Sequence, residues 1–198
     1  SLKVKTLLLP EFIDENPDTT RSQSPPSGAK EQERMPRLEA ILGDITASKL
    51  EVVVNAANTN LAAGGGVCGA IFLAAGAGLP EACRELAPCP TGEARITPGF
   101  SLKATWIVHA VGPIWRGGDD DEADLLASAY SASLQLAVSV GASSIAFPAI
   151  STGIYGYPLL PATKIAIATC IAAPDAITEI RFICFDESTL SIYEQVLK

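Results

Sequence analysis

The sequence predicts an α/β fold, a sheet covered by helices on both sides. From Arg37 onward strand-like runs alternate with helix-like ones, and the strand-like runs are apolar on successive residues, so both of their faces must be buried. The two glycine-bearing segments, residues 55–66 and 149–158, each follow a strand-like run. In such sheets ligands sit beyond the carboxyl ends of the strands, so both segments belong to one rim.

In chain order, residues 38–42 and 52–55 read as strands, and 67–75 and 80–86 as helices. Residues 105–111 form a strand rich in β-branched side chains. A long amphipathic helix covers 121–140, with Asp121, Glu122 and Asp124 in an acidic first turn that suits the helix dipole. An apolar strand follows at 144–148, and then a helix at 158–172 with Pro158 near its start. A strand at 177–185 and a helix at 188–197 complete the pattern. Ahead of these, residues 4–13 are either a short strand that docks on the domain or a frayed end. Residues 16–36 are polar and proline-rich and read as a linker or mobile loop. The expected division is an N-terminal extension over 1–36 and one folded domain over 37–198, without an internal repeat.

With 198 residues, 48% hydrophobic and 18% charged, the chain can bury a substantial core. No apolar run approaches the roughly 20 residues that span a bilayer. The apolar stretch behind Lys3 and Lys5 is too short for a signal peptide, and Glu11, Asp14 and Glu15 follow it at once. Five cysteines lack CxxC or Cys/His spacing and there is one histidine, which argues against a disulfide framework or a metal site and favours the cytoplasm. No cofactor is implied. Residues 1–37 balance six acidic against six basic side chains, so the net charge of −8 falls on residues 38–198. Such a domain repels polyanions, and neither a nucleic acid nor a membrane is an expected partner.

The segment Val54-Asn55-Ala56-Ala57-Asn58 … Gly64-Gly65-Gly66-Val67-Cys68 takes an apolar strand through two asparagines and three glycines into a helix of small residues. No cationic side chain occurs between Lys49 and Arg84. A glycine loop that opens a helix presents bare N–H groups to an anion, so this one suits a phosphate held by main chain. The second loop, Ser151-Thr152-Gly153-Ile154-Tyr155-Gly156-Tyr157-Pro158, is also uncharged, with Gly153 and Gly156 free to take positive φ. Two such loops at neighbouring strand ends can clamp a diphosphate, with Tyr155 and Tyr157 offering faces to a sugar or base. Each loop alone also reads as a plain βα turn.

These residues are similar to the macrodomain family. The likeness runs in order through Gly43-Asp44-Ile45-Thr46, the Asn55–Val67 segment, Thr91-Gly92-Glu93-Ala94, Ile107-Val108-His109-Ala110-Val111-Gly112-Pro113 and the 151–158 loop. It covers residues 37–198 and is nearest the branch that hydrolyses mono-ADP-ribosyl groups and O-acetyl-ADP-ribose. The resemblance implies a three-layer α/β/α sandwich on a mixed, largely parallel sheet, with an ADP-ribose cleft across its rim. It also implies that Asp44, beside Ile45, accepts from the adenine amino group and that Asn58 binds the distal ribose, as a catalytic residue together with the one at position 68. The backbone of Gly64, Gly65, Gly66 and Val67 and of Ser151, Thr152, Gly153, Ile154 and Tyr155 would cradle the diphosphate, with Tyr155 near the distal ribose. The partner would be ADP-ribose or an ADP-ribosylated protein. Without the resemblance, Asp44 reads as a turn or cap residue, Asn55 as a structural residue bonding loop backbone, and His109 as a satisfied core histidine.

At one position the chain departs from the family. After Gly-Gly-Gly-Val the hydrolase branch carries an aspartate, usually with a histidine four residues on; here stand Cys68 and Phe72. In the family mechanism, a substrate phosphate and the aspartate orient the water that attacks the distal ribose. A thiol of ordinary pKa about 8.5 is a poor substitute for a carboxylate, and loss of one positioned base costs about 10²–10⁴-fold in rate. Three readings follow: a weak hydrolase that relies on the substrate phosphate, a reader of ADP-ribose without turnover, and a Cys68 nucleophile at a helix N-terminus. Cys68 also reads as a small buried space-filler.

Other enzyme classes fit less well. Gly64–Gly69 satisfies GxGxxG, but residues 56–63 separate it from its strand and no acidic strand end follows about 20 residues on, unlike an NAD-dependent dehydrogenase. Ala149-Ile150-Ser151-Thr152-Gly153 resembles a nucleophile elbow, yet the only histidine precedes the serine. No Gly-Lys-Ser/Thr follows the glycines, which excludes a Walker-type NTPase.

Overall fold

A computed structural model describes residues 35–198. The readings for residues 4–13 and 16–34 lie outside that range. Six strands, β1 Arg37–Leu42, β2 Val52–Ala56, β3 Ala94–Pro98, β4 Trp106–Ala110, β5 Ser144–Phe147 and β6 Glu179–Cys184, form one sheet in the order β1-β6-β5-β2-β4-β3. Every neighbouring pair is parallel except β3 with β4. Five helices accompany it: α1 Gly66–Ala75, α2 Gly78–Leu86, α3 Glu122–Ser139, α4 Leu159–Ile171 and α5 Glu187–Leu197. The mixed, largely parallel sheet is as expected, and each expected element lies within two residues of its observed bounds.

The chain's apolar runs separate into two cores because strand side chains alternate. Val52, Val54, Val108, Ala110, Ile145, Phe147, Ile180 and Phe182 face one core, which includes Leu126, Tyr130, Ala166 and Tyr193 from α3, α4 and α5. Val53, Ile107, Ala146 and Ile183 face the other, with Ile71, Phe72, Leu79 and Cys83 from α1 and α2. Tyr130, Phe147, Phe182 and Tyr193 form a run of ring contacts with centroids 4.8–6.3 Å apart.

The reading of the sequence omitted β3. It is an edge strand of Ala94-Arg95-Ile96-Thr97-Pro98, half-exposed and closed by a proline, so it lacks the continuous apolar run that marks the central strands. Its contribution is Thr97, 2% exposed, whose hydroxyl lies 3.0 Å from His109 Nε2 on β4.

Between β4 and α3 the chain makes a turn whose backbone bonds are gathered by one carboxylate. Glu122, 1% exposed, accepts from the N–H groups of Arg116, Gly118 and Asp120 at 2.7–3.1 Å. Burial alone would raise its pKa, but the backbone donors outweigh that and hold it down to about 2. Burial also pushes His109 down from 6.5 to about 4.

Both groups make the fold acid-sensitive, in different windows. His109 stays neutral in the folded chain while the unfolded chain takes up a proton, so its contribution is intact above about pH 6.5 and is lost as pH falls from 6.5 through 4, by at most about 3 kcal/mol. The Glu122 contribution is intact above its ordinary 4.5 and is lost as pH falls toward 2. Denaturant titrations across this range should show stability falling from pH 6.5, with His109→Gln removing the fall above pH 4.5 and leaving the one below it.

Candidate functional site

The parallel strands all end at the same rim, and the segments that leave them enclose a cleft of about 860 Å³. Leu42 and Gly43 leave β1, Ala56 to Asn58 leave β2, Gly112 follows β4, Pro148 to Tyr155 follow β5, and Phe185 and Asp186 follow β6. Asp44, Ile45, Asn58, Gly64, Gly65, Gly66, Val67, Cys68, Ser151, Thr152, Gly153, Ile154 and Tyr155 all line this one cleft. Its size suits a drug- or nucleotide-sized ligand.

Asp44 opens one end. Its Oδ1 accepts from Thr46 N at 2.9 Å and from Thr46 Oγ1 at 2.8 Å, which caps a short 3-10 turn over Ile45–Ala47. The cap role is therefore real, and both of these bonds use one carboxylate oxygen. Ile45 is buried beside it. Across this end Phe185 is 93% exposed and Asp186 caps α5 by accepting from Thr189 N at 2.8 Å.

The first loop is fastened by Asn58. Its amide accepts from Asn60 N at 3.1 Å and Ala62 N at 3.2 Å and donates to Ala62 O at 2.8 Å, so these bonds staple its own loop. Gly64 then passes so close to α1 that a Cβ on Gly69 would sit 2.6 Å from the Gly64 carbonyl oxygen. Helix α1 begins with no side-chain cap at Gly65. The first N–H groups of α1 therefore have no side-chain cap where Gly65, Gly66 and Val67 line the cleft, and an uncapped helix start of this kind can hold an anion with main chain.

The second loop is held from below and from the side. Tyr130 donates to Pro148 O and accepts from Ile150 N, each at 3.4 Å. Burial raises the Tyr130 pKa and keeps the phenol neutral. Trp115 N donates to Tyr155 O at 2.9 Å, and the Trp115 ring packs 4.5 Å from that of Tyr157. Tyr157 is 3% exposed, so it is a packing residue; of the two tyrosines only Tyr155 lines the cleft. Burial raises the Tyr155 pKa, with the nearby Cys68 adding to it.

Of the two glycines expected to take positive φ, Gly156 does, at 68°. Gly153 does not; Ser151 takes it instead, at 67°. That conformation is costly for a serine and persists only where the surroundings enforce it. Here they do: a Cβ on Gly112 would collide with Ser151 Oγ and Ile150 Cγ2, so the loop lies directly on that glycine. Ser151 is 6% exposed and its Oγ has no partner among the described residues, as is true of the backbone N–H groups of Gly153, Ile154 and Tyr155. No base stands at Ser151 Oγ, so the nucleophile-elbow reading finds no support. Ile154, 82% exposed, reaches back across the cleft, with its Cδ1 3.1 Å from the Cβ position of Gly65.

Under the cleft floor runs a buried polar chain. Asn55 Nδ2 lies 3.7 Å from Cys68 Sγ and 3.1 Å from His109 Nδ1, and Cys68 Sγ lies 3.6 Å from Ala62 O. Asn55 is structural, as expected, but its partners are side chains rather than loop backbone. His109 is a core histidine, 0% exposed, and its ring nitrogens bond Asn55 and Thr97 rather than Cys68. No hydrogen bond joins Cys68 to a base among the described residues, which removes the support for a covalent nucleophile. Among those residues no group of three or more His, Cys, Asp and Glu could hold a metal ion, and no single helix is long and apolar enough to cross a membrane.

Sequence reading missed Phe185, Gly112 and Tyr130 as parts of this site. Phe185 had one signal, an aromatic residue just past a strand end; the other two act through tertiary contacts only.

The Macro domain family model matches residues 54–166. A macro domain-containing protein of Chlorobaculum tepidum is 52% identical over 163 residues, 81% of this chain and 95% of that protein. An O-acetyl-ADP-ribose deacetylase of Klebsiella pneumoniae is 49% identical over 166 residues, 80% of this chain and 95% of the relative. Among solved structures, the Oceanobacillus iheyensis macrodomain with ADP superposes with TM-score 0.79 at 42% identity, covering 85% of this chain and 94% of the other. A Trypanosoma brucei macrodomain in complex with ADP-ribose superposes with TM-score 0.77 at 37% identity, covering 86% and 73%. The chain therefore belongs to the macro domain family.

Proposed function

We propose that this domain binds ADP-ribose and slowly hydrolyses ADP-ribosyl bonds, in mono-ADP-ribosylated protein or O-acetyl-ADP-ribose, by phosphate-assisted attack of water. One observation carries the binding half: the uncapped start of α1 and the unpartnered N–H groups of Gly153, Ile154 and Tyr155 line the same cleft, with no cationic side chain among its lining residues. A diphosphate satisfies such donors from both sides. The adenine then lies toward Asp44 and Ile45, with the exposed Phe185 ring available to its face. The distal ribose lies toward Asn58, Tyr155 and Cys68. The ADP-ribose complex and the deacetylase named among the relatives support this ligand and this chemistry. Five free, buried thiols support a reducing compartment, the cytoplasm.

Cys68 sets the rate. The thiol accepts weakly, and its proton faces the Ala62 carbonyl rather than the substrate side. A water at the distal ribose is then oriented mainly by the substrate's own phosphate, which makes turnover slow while leaving affinity intact. The same observation favours a second reading, a module that retains ADP-ribose without turnover.

Three measurements test this. Titration calorimetry should give saturable ADP-ribose binding with little response to NAD, and no binding would overturn the proposal. Gly112→Ala, which displaces Ser151 and Ile150, should weaken ADP-ribose binding by about ten-fold. Release of ADP-ribose from a mono-ADP-ribosylated acidic side chain or from O-acetyl-ADP-ribose should rise at least about ten-fold in Cys68→Asp, with binding unchanged. Binding without release in either protein would leave the reader.

A further inference from the structure

We infer that His109 is a positioning residue that acts through Asn55 to hold Cys68 in one orientation at the cleft floor. The inference rests on the hydrolytic reading for its catalytic consequence, but its structural part stands apart from turnover.

The donors in the buried chain can be assigned from its far end. Thr97 Oγ1 lies 3.2 Å from Pro98 O and 3.0 Å from His109 Nε2; with its proton given to Pro98 O, its lone pairs face Nε2, which then carries the imidazole proton. His109 Nδ1 is then bare and accepts from Asn55 Nδ2 at 3.1 Å. The second proton on Asn55 Nδ2 points to Cys68 Sγ at 3.7 Å, and the thiol proton goes to Ala62 O at 3.6 Å. Reversing the Asn55 amide would strand two buried N–H donors in place of one carbonyl oxygen and would cost Thr97 its bond to Pro98, so the chain runs one way only.

Nothing charged faces the imidazole. Its neighbours are Asn55, Thr97, the Phe72 ring at 6.5 Å, and Cys83, whose sulfur is 3.7 Å from Nε2 and 4.0 Å from Nδ1, farther than Thr97 and Asn55 are from the same nitrogens. The imidazole is neutral and directional, and its single accepting nitrogen fixes which way Asn55 faces. That amide in turn meets the sulfur of the residue that begins the inner face of α1, where the cleft's first N–H groups lie.

The test reads the cysteines of the intact protein. Alkylation with iodoacetamide, resolved by peptide mass, should modify Cys68 about ten-fold faster in His109→Leu than in the wild type. Cys89, Cys170 and Cys184, buried and outside the chain of contacts from Thr97 to Cys68, serve as internal controls and should stay at the wild-type rate. His109→Gln, which keeps one acceptor and one donor, should restore the Cys68 rate. With a hydrolysable substrate, His109→Leu should lower kcat with KM unchanged, and in a Cys68→Ala background it should lower kcat no further. Nitrogen-15 spectra of the wild-type imidazole should show Nε2 protonated and Nδ1 bare, a readout that survives if His109→Leu does not fold. An Nδ1-protonated ring, an unchanged Cys68 rate, or all four thiols rising together would overturn the inference. A selective Cys68 response in a protein without turnover would instead sustain the positioning role and remove the hydrolase.

Discussion

The parallel pairing of β2 with β4 on one side and β5 on the other is the interaction on which the cleft depends. Val52, Val53 and Val54 are at most 1% exposed, and the register sets Val52 against Trp106 and Ile145. Because these three strands run the same way, the chain leaves each of them at the same rim. The first loop, Gly112 and the second loop are thus brought together by backbone ladders and not by any contact of their own. A buried valine triplet that reads as plain core is what places two sequence-distant glycine loops across one cleft.

That arrangement explains the choice of residues at the rim. A loop laid on another element needs space where they cross, and Gly69 under Gly64 and Gly112 under Ser151 provide it. A serine at φ 67° with a buried, unpartnered hydroxyl is unfavourable on its own. It persists because Tyr130, Trp115 and Gly112 hold the loop on three sides. The bonds that the loop lacks are the ones a ligand can supply.

The parallel strands were legible in the sequence because burial on both faces leaves an unbroken apolar run, and the glycine loops because their charge-free composition is unusual in a chain of net charge −8. β3 was not, since an edge strand with one solvated side and a terminal proline carries half the signal. The site was legible where it is local: Asp44, Asn58 and the two loops all lie on one cleft. It was illegible where it is tertiary. Which residue of the second loop takes positive φ depends on Gly112, and whether a tyrosine faces ligand or core depends on Trp115. Neither dependence is written in the loop itself. Asn55 shows the same limit, since its partners Cys68 and His109 stand 13 and 54 residues away.

A groove built from peptide dipoles inside an acidic shell separates the kinetics of arrival from those of departure. Peptide groups do not titrate over the physiological range, and at contact distance they are little affected by dissolved ions. The eight excess negative charges act at long range, within a Debye length of about 8 Å at physiological ionic strength. For the nucleotide proposed above, raising the ionic strength would therefore speed its approach while leaving its residence time unaltered, the opposite of what a lysine- or arginine-lined groove would do.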